Sequence, residues 1–193
     1  MDTSRKILKA ARHLFERAGL EGLSLREVAR RVGITPMAIY RHYATKEALV
    51  DALVLDALDE WWTLVAAIPQ AAPLEWLRQI GAAHLEFALA KPRRYEAAFL
   101  IHSSQARRYP DDFNAGRSPA GTLQLTLIRN LLAEGVLQAD SAIEILIALA
   151  GLSQGLITLY RAGRIVGGES EFRALYLRAT ERCMASFLVE KGK

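Results

Sequence analysis

Apolar side chains recur along this 193-residue chain at spacings of three and four, the pattern of helices with one buried face. From Thr3 to Ala18, Ile7, Ala11, Leu14 and Phe15 share one side and Arg5, Lys6, Lys9 and Arg12 lie largely opposite, which predicts a first helix. Leu25, Val28, Ala29 and Val32 predict a short second helix, and Ile39 and Tyr43 form the apolar pair of a third. A long helix is expected from a Thr45 cap to about Ile68, before Pro69, with Leu49, Leu53, Ala57, Trp61, Leu64 and Ile68 as its stripe. At 1.5 Å per residue it would be a stiff rod of roughly 35 Å.

Pro73 opens a helix to about Ala90 whose face carries Trp76, Ile80, His84 and Phe87. Pro92 opens another, with Tyr95, Phe99 and His102 on one side. Residues 109–121, rich in Pro, Gly, Asp and Asn, read as a loop. Leu123, Leu127, Leu131 and Leu132 carry a helix to about Glu134, ended by Gly135. Ile143 to Leu159 is apolar nearly all round, with Gly151 and Gly155 four apart. Gly163, Gly167 and Gly168 break the chain before a last helix from about Ser170 to Lys191, in which Phe172, Leu175, Tyr176, Ala179, Cys183, Phe187 and Leu188 face inward. A helix that is apolar on every side needs cover on every side, and in a chain this small a second subunit is the natural cover. The fold expected is all-α.

The most informative stretch is Ser24 to Lys46. Ser24 and Glu27 have the spacing of a capping box, as do Ser141 and Glu144 further on. Gly33 follows the second helix where a residue of positive φ can close it, and Thr35 and Pro36 supply the cap and first position of the third. Helix, glycine turn and capped helix make a helix-turn-helix pattern, whose second helix lies in the DNA major groove.

Charge points the same way. Residues 1–46 hold ten Lys and Arg against four Asp and Glu, whereas the remainder holds fifteen against seventeen. The whole basic excess therefore lies on the helix-turn-helix segment, the electrostatic footprint of a phosphate-backbone partner. The single cysteine, Cys183, excludes an internal disulfide and fits a reducing compartment. The N-terminus lacks the layout of a signal peptide, and the longest apolar run, Ile145 to Leu152, is shorter than the ~20 residues of a membrane span. A cytoplasmic protein without a membrane partner is expected.

Arg12, Leu14, Phe15 and Gly19, then Leu25-Arg26-Glu27-Val28-Ala29, Gly33-Ile34-Thr35, Ile39-Tyr40-Arg41-His42-Tyr43 and Lys46-Glu47-Ala48-Leu49 occur in order and in frame. Over roughly these first fifty residues the chain resembles the TetR family of transcriptional regulators. The resemblance implies a helix-turn-helix DNA-binding domain over residues 1–46 and a ligand-binding and dimerisation domain over residues 47–193, joined by the long helix. It implies that Tyr40, His42 and Lys46 hold the phosphate backbone, that Thr35 caps the recognition helix close to the strand, and that Arg26 reaches a base or a phosphate. Pro36, Met37, Ala38 and Arg41 then occupy the face that meets base edges. Arg41 can pair bidentately with guanine, worth ~1–3 kcal/mol of discrimination, whereas Met37 and Ala38 offer apolar contact and Pro36 no donor. With so few direct readers, shape and backbone contacts are expected to carry more of the specificity.

The same resemblance places Trp61, Trp76, Phe87, Tyr95, Phe99 and Tyr160 around one internal cavity, with His84, His102, Gln105 and Gln154 as sparse polar groups on or near those faces. A mostly apolar wall with few polar anchors suits a small hydrophobic or aromatic effector. Arg93, Arg94, Arg107 and Arg108 are read as exposed charges at helix ends in preference to an attraction for an anionic effector. No phosphate-binding, redox or metalloprotease motif occurs, so neither an enzyme, a cofactor nor a metal site is expected. The partners expected are a near-palindromic operator, a small-molecule effector and a second copy through the last two helices. The rival readings are a DNA-binding regulator without an effector and, more remotely, a small helical enzyme.

Overall fold

Ten α-helices and no β-strand occur in residues 2–190, which the computed structural model describes. They are α1 (Thr3–Ala18), α2 (Leu25–Val32), α3 (Pro36–Tyr40), α4 (Lys46–Ala66), α5 (Pro73–Ala90), α6 (Pro92–Phe99), α7 (Asp111–Asn114), α8 (Pro119–Ala133), α9 (Ala142–Arg161) and α10 (Glu169–Ala185). By packing they form two units. One comprises the residues up to Trp61 together with Lys91–Ala106; the other comprises Trp62–Ala90 and the residues from Arg107 onward.

In the first unit, Ile7, Ala11, Leu14 and Phe15 of α1 are buried with Val28 and Ala29 of α2 and Ile39 of α3. Leu49, Leu53, Ala57 and Trp61 of α4 continue this core at four-residue spacing. Leu64, expected on that stripe, is 37% exposed, and Val65 is buried instead. Helix α4 itself stops at Ala66, two residues short of Ile68. A strict spacing of four continues from Trp61 to Val65, which places Leu64 off the buried line.

The second unit is built on Leu77, Ile80, Leu85 and Phe87 of α5, Leu125, Ile128 and Leu131 of α8, Ile145 and Ile157 of α9, and Phe172 and Tyr176 of α10. Arg78 donates to both carboxylate oxygens of Glu181 at 2.8 and 2.7 Å, and Arg173 pairs with Glu86 and Glu169. The Tyr176 hydroxyl donates to the Gly81 carbonyl at 3.1 Å, which ties α10 to α5.

Several local expectations are corrected. Neither Ser24 nor Ser141 makes a side-chain cap hydrogen bond, although α2 and α9 start directly after them. Glu27 is drawn instead to Arg30 and Arg31, and the Asp140 carboxylate accepts the Ser141 N–H at 2.6 Å. The stretch 109–121 is not loop throughout: it contains α7 and the start of α8. Phe113 is buried with its ring stacked on Tyr109 at 3.9 Å. A Cβ at Gly121 would fall 2.2 Å from the Phe113 ring, so only glycine allows that approach.

The last helix ends at Ala185, and the expected end at Lys191 lies outside the described residues. Phe187 and Leu188, expected on the helix, lie beyond it: Phe187 in the turn that follows, and Leu188 in a single antiparallel bridge to Leu137. The Gln138 N–H donates to the Phe187 carbonyl at 2.8 Å and the Val189 N–H to the Val136 carbonyl at 3.0 Å.

Helix α9 has Ile145, Leu146, Ser153 and Ile157 buried, while Ile147 and Leu159 are 42% and 44% exposed. Among the described residues it is the one helix long and apolar enough, by length and composition, to cross a membrane.

Candidate nucleic-acid interface

The turn between α2 and α3 is made by local chemistry. Gly33 closes α2 at φ 77° and ψ 34°, left-handed backbone that favours glycine, and its N–H donates to the Ala29 carbonyl at 2.9 Å. The Thr35 hydroxyl accepts the Ala38 N–H at 3.2 Å, and Pro36 takes the first helical position, where its missing N–H costs nothing. Only five residues form α3, but the Tyr43 N–H still donates to the Ile39 carbonyl at 2.9 Å, so the helical path runs on through Arg41 and His42.

Ile39 is fully buried, which aims the other side of α3 at solvent. Met37 is 71% and Tyr40 46% exposed, and with Arg41 they stand at i, i+3 and i+4 on one face. Arg26, Thr35, Pro36, His42 and Lys46 are exposed on the same short stretch, and Ala38 is half-buried. All nine residues singled out for DNA thus lie within a segment of twenty-one residues of one unit.

Tyr43 is half-buried, with its polar tip turned to the start of α1. Its hydroxyl donates to the Ser4 carbonyl at 3.3 Å and lies 3.0 Å from the Ser4 hydroxyl, so the end of the recognition element is tied to the start of α1. The basic charge is partly compensated within the module. Glu27 accepts from Arg30 at 2.7 and 2.6 Å and from Arg31 at 3.3 Å, and the Arg30 bonds foremost hold its carboxyl down at about 2. Arg12 donates to Glu16 at 2.9 Å. Among the described residues no ion pair engages Arg26, Arg41 or Lys46.

The residues singled out for an effector divide between the two units. In the first, Trp61 meets Phe99 edge-on at 5.9 Å and Tyr95 meets Phe99 at 5.1 Å, while Gln105 donates to the Ser104 hydroxyl at 3.1 Å and His102 is exposed. In the second, His84 and Phe87 are buried on α5, Trp76 and Gln154 are half-buried, and Tyr160 stacks on Phe172 at 4.0 Å. Burial pushes the His84 imidazolium down to about 4, so the ring is neutral at physiological pH.

Sequence reading missed the charges that knit the first unit. Arg94, read as an exposed helix-end charge, is 2% exposed and paired with Asp56 and Glu60 of α4. Asp51 accepts from the Ser103 hydroxyl and the Ser104 hydroxyl at 2.6 Å each, which draws its carboxyl below the usual range. Both partners lie some fifty positions away in the chain, beyond the reach of any local pattern.

A capped, solvent-facing second helix on a basic three-helix module defines a helix-turn-helix DNA-binding protein. The N-terminal model of the bacterial regulatory proteins of the tetR family matches residues 7–53, and the tetracyclin repressor-like C-terminal domain matches residues 77–182. The chain belongs to the TetR family of transcriptional regulators.

It is 28% identical over 165 residues to the class A tetracycline repressor protein from transposon 1721 (Escherichia coli), covering 84% of this chain and 69% of that one. It is 34% identical over 107 residues to the A-factor receptor protein of Streptomyces griseus, covering 55% of this chain but only 33% of the receptor. A protein of unknown function from Rhodococcus sp. RHA1 shares the fold, with a TM-score of 0.79 at 19% identity over 98% of this chain and 97% of that one. Members of the family are soluble transcriptional regulators rather than enzymes; as a class they bind DNA operators, dimerise and bind small-molecule effectors.

Proposed function

We propose that this protein is a cytoplasmic, homodimeric repressor, released from a near-palindromic operator by a small hydrophobic or aromatic effector. Residues 1–46 form the DNA-binding part and residues 47–193 the ligand-binding and dimerisation part. The observation that carries this reading is the Thr35-capped α3, with Met37, Tyr40 and Arg41 presented on one exposed face of a basic module. In this reading Arg41 reads a guanine edge, Met37 and Ala38 pack on thymine methyls, and Tyr40, His42, Lys46 and Arg26 hold phosphates. Pro36 and Thr35 fix the start of the helix at the strand.

The effector is bound by the aromatic groups Trp61, Trp76, Phe87, Tyr95, Phe99 and Tyr160, with His84, His102, Gln105 and Gln154 as polar anchors. The buried Trp76 indole N–H, which has no hydrogen-bond partner among the described residues, supports such a role because a ligand acceptor would satisfy it. The second copy covers α9 and α10, whose Ile147, Leu159 and Leu177 stand exposed in the single chain. Release follows from a population shift. A ligand that prefers α4 tilted moves the two recognition helices out of register with one turn of DNA, and ~2–3 kcal/mol of differential affinity weakens operator binding ~30–150-fold.

Selection of bound duplexes from a random pool, followed by a screen for compounds that release the selected duplex, tests this. A two-part near-palindrome and release by an uncharged planar compound are expected. Recovery of no common two-part motif would refute it.

A further inference from the structure

Arg94 is the one Lys, Arg, Asp or Glu side chain among the described residues that is fully buried. It stands on α6 and spans two carboxylates one turn apart on α4: its Nε donates to Glu60 Oε2 at 2.5 Å, and Nη2 lies 2.7 Å from Asp56 Oδ2. Positions i and i+4 on a helix are about 6 Å apart, a separation that one guanidinium fork can bridge. Lys91 brings a second cation to Glu60 at 2.6 Å, and Arg12 of α1 stands 3.7 Å from Asp56. Five charged side chains from α1, α4 and the start of α6 therefore form one network within the unit that carries the helix-turn-helix.

An ion-pair network around one buried guanidinium does little for net stability, because desolvation of Arg94 offsets most of the Coulombic gain, but it is demanding in geometry. If α4 slid or turned against α6, a buried charge would lose its partner. Apolar contacts between the same helices would tolerate several registers. Helix α4 starts a few residues after the recognition helix and continues unbroken to Ala66, so its direction dictates where that helix is presented.

We propose that Arg94 is a positioning residue for DNA binding: its fork onto Asp56 and Glu60 fixes α4 against α6 and thereby sets the half-site spacing that a pair of these proteins accepts. The inference rests on the reading of the protein as a dimer on a two-part operator. A residue that served stability alone would alter melting and overall affinity, but not the preference among spacings.

The test uses the full-length protein and operator duplexes whose half-sites are moved apart or together one base pair at a time. Wild type should prefer one spacing by about tenfold or more. Arg94→Met should flatten that preference to within about threefold while affinity for a single half-site is kept, and Arg94→Lys, which keeps the charge but not the fork, should fall between. Since Arg94→Met takes from the half-buried Asp56 and Glu60 the one buried cation they share, the triple variant D56N/E60Q/R94M provides a folded counterpart expected to show the same flattening. Retention of the wild-type preference in any folded variant lacking the fork would overturn the proposal. So would failure of all three variants to fold, since Arg94 would then be a folding residue. If wild type bound a single half-site with no spacing preference, the dimeric-operator reading itself would fall.

Discussion

The Tyr43 hydroxyl bonds to Ser4, thirty-nine residues earlier, through both the Ser4 carbonyl and its side-chain oxygen. The basic N-terminal turn of α1 is thereby held beside the end of the recognition element. Tyr43→Phe should cost about 0.5–1.5 kcal/mol of stability. It should also lower affinity severalfold for every duplex alike, which melting curves and anisotropy titrations on specific and scrambled DNA would show. A change of sequence preference would mean that Tyr43 acts at a base instead.

Arg41 and Lys46 are both exposed cations, yet their positions predict different losses. Lys46→Ala should weaken binding to all sequences about equally and reduce the salt slope by about one. Arg41→Ala should relax preference at one base position per half-site, a loss of about 1–3 kcal/mol against the preferred base only. Binding selections repeated with each variant separate the two. Equal, sequence-independent losses would show that Arg41 also grips phosphate.

Leu177 on α10 is 49% exposed and Ile147 on α9 42% exposed in the single chain. An Asp at either site should therefore be harmless to a monomer but place an unpaired charge in an interface expected to bury upwards of ~2,000 Å². Leu177→Asp should yield folded monomers in light scattering at micromolar concentration. A variant that remained dimeric would move the interface elsewhere.

His84 supplies a pH signature. Its folded-state value of about 4 lies below the ordinary 6.5 because burial disfavours the imidazolium, so the unfolded chain takes up a proton first as pH falls. The neutral ring's contribution is complete above about 6.5 and is lost as pH falls toward about 4. The loss is of order 3 kcal/mol. Wild type should lose that much more stability than His84→Gln between pH 7 and 4, as measured by urea unfolding. Parallel curves would show that His84 is not the group responsible.

How far the fold was legible in the sequence depended on whether the deciding interaction was local. Pro73, Pro92 and Gly135 marked helix limits because their effect on φ acts where they stand. Thr35 was read correctly as a cap because its acceptor sits three residues from the N–H that it serves. Ser24 and Ser141 had the same spacing, but Arg30 and Asp140 offered competing bonds that a two-residue pattern does not weigh. Phe113 looked like loop because its burial depends on Tyr109 and on the absence of a side chain at Gly121.

The sequence by itself determined the helical class, the helix-turn-helix and the family, since these rest on periodicity, caps and a basic excess contained in the first fifty residues. Only the tertiary structure decided that Arg94 is buried, that Asp51 binds Ser103 and Ser104, and that α6 packs in the same unit as α1 to α3. The physical reason is that a charge is indifferent to its sequence neighbours when its partners lie thirty to fifty residues away. An Arg beside another Arg at a helix start reads as solvated until two carboxylates from α4 are brought to it.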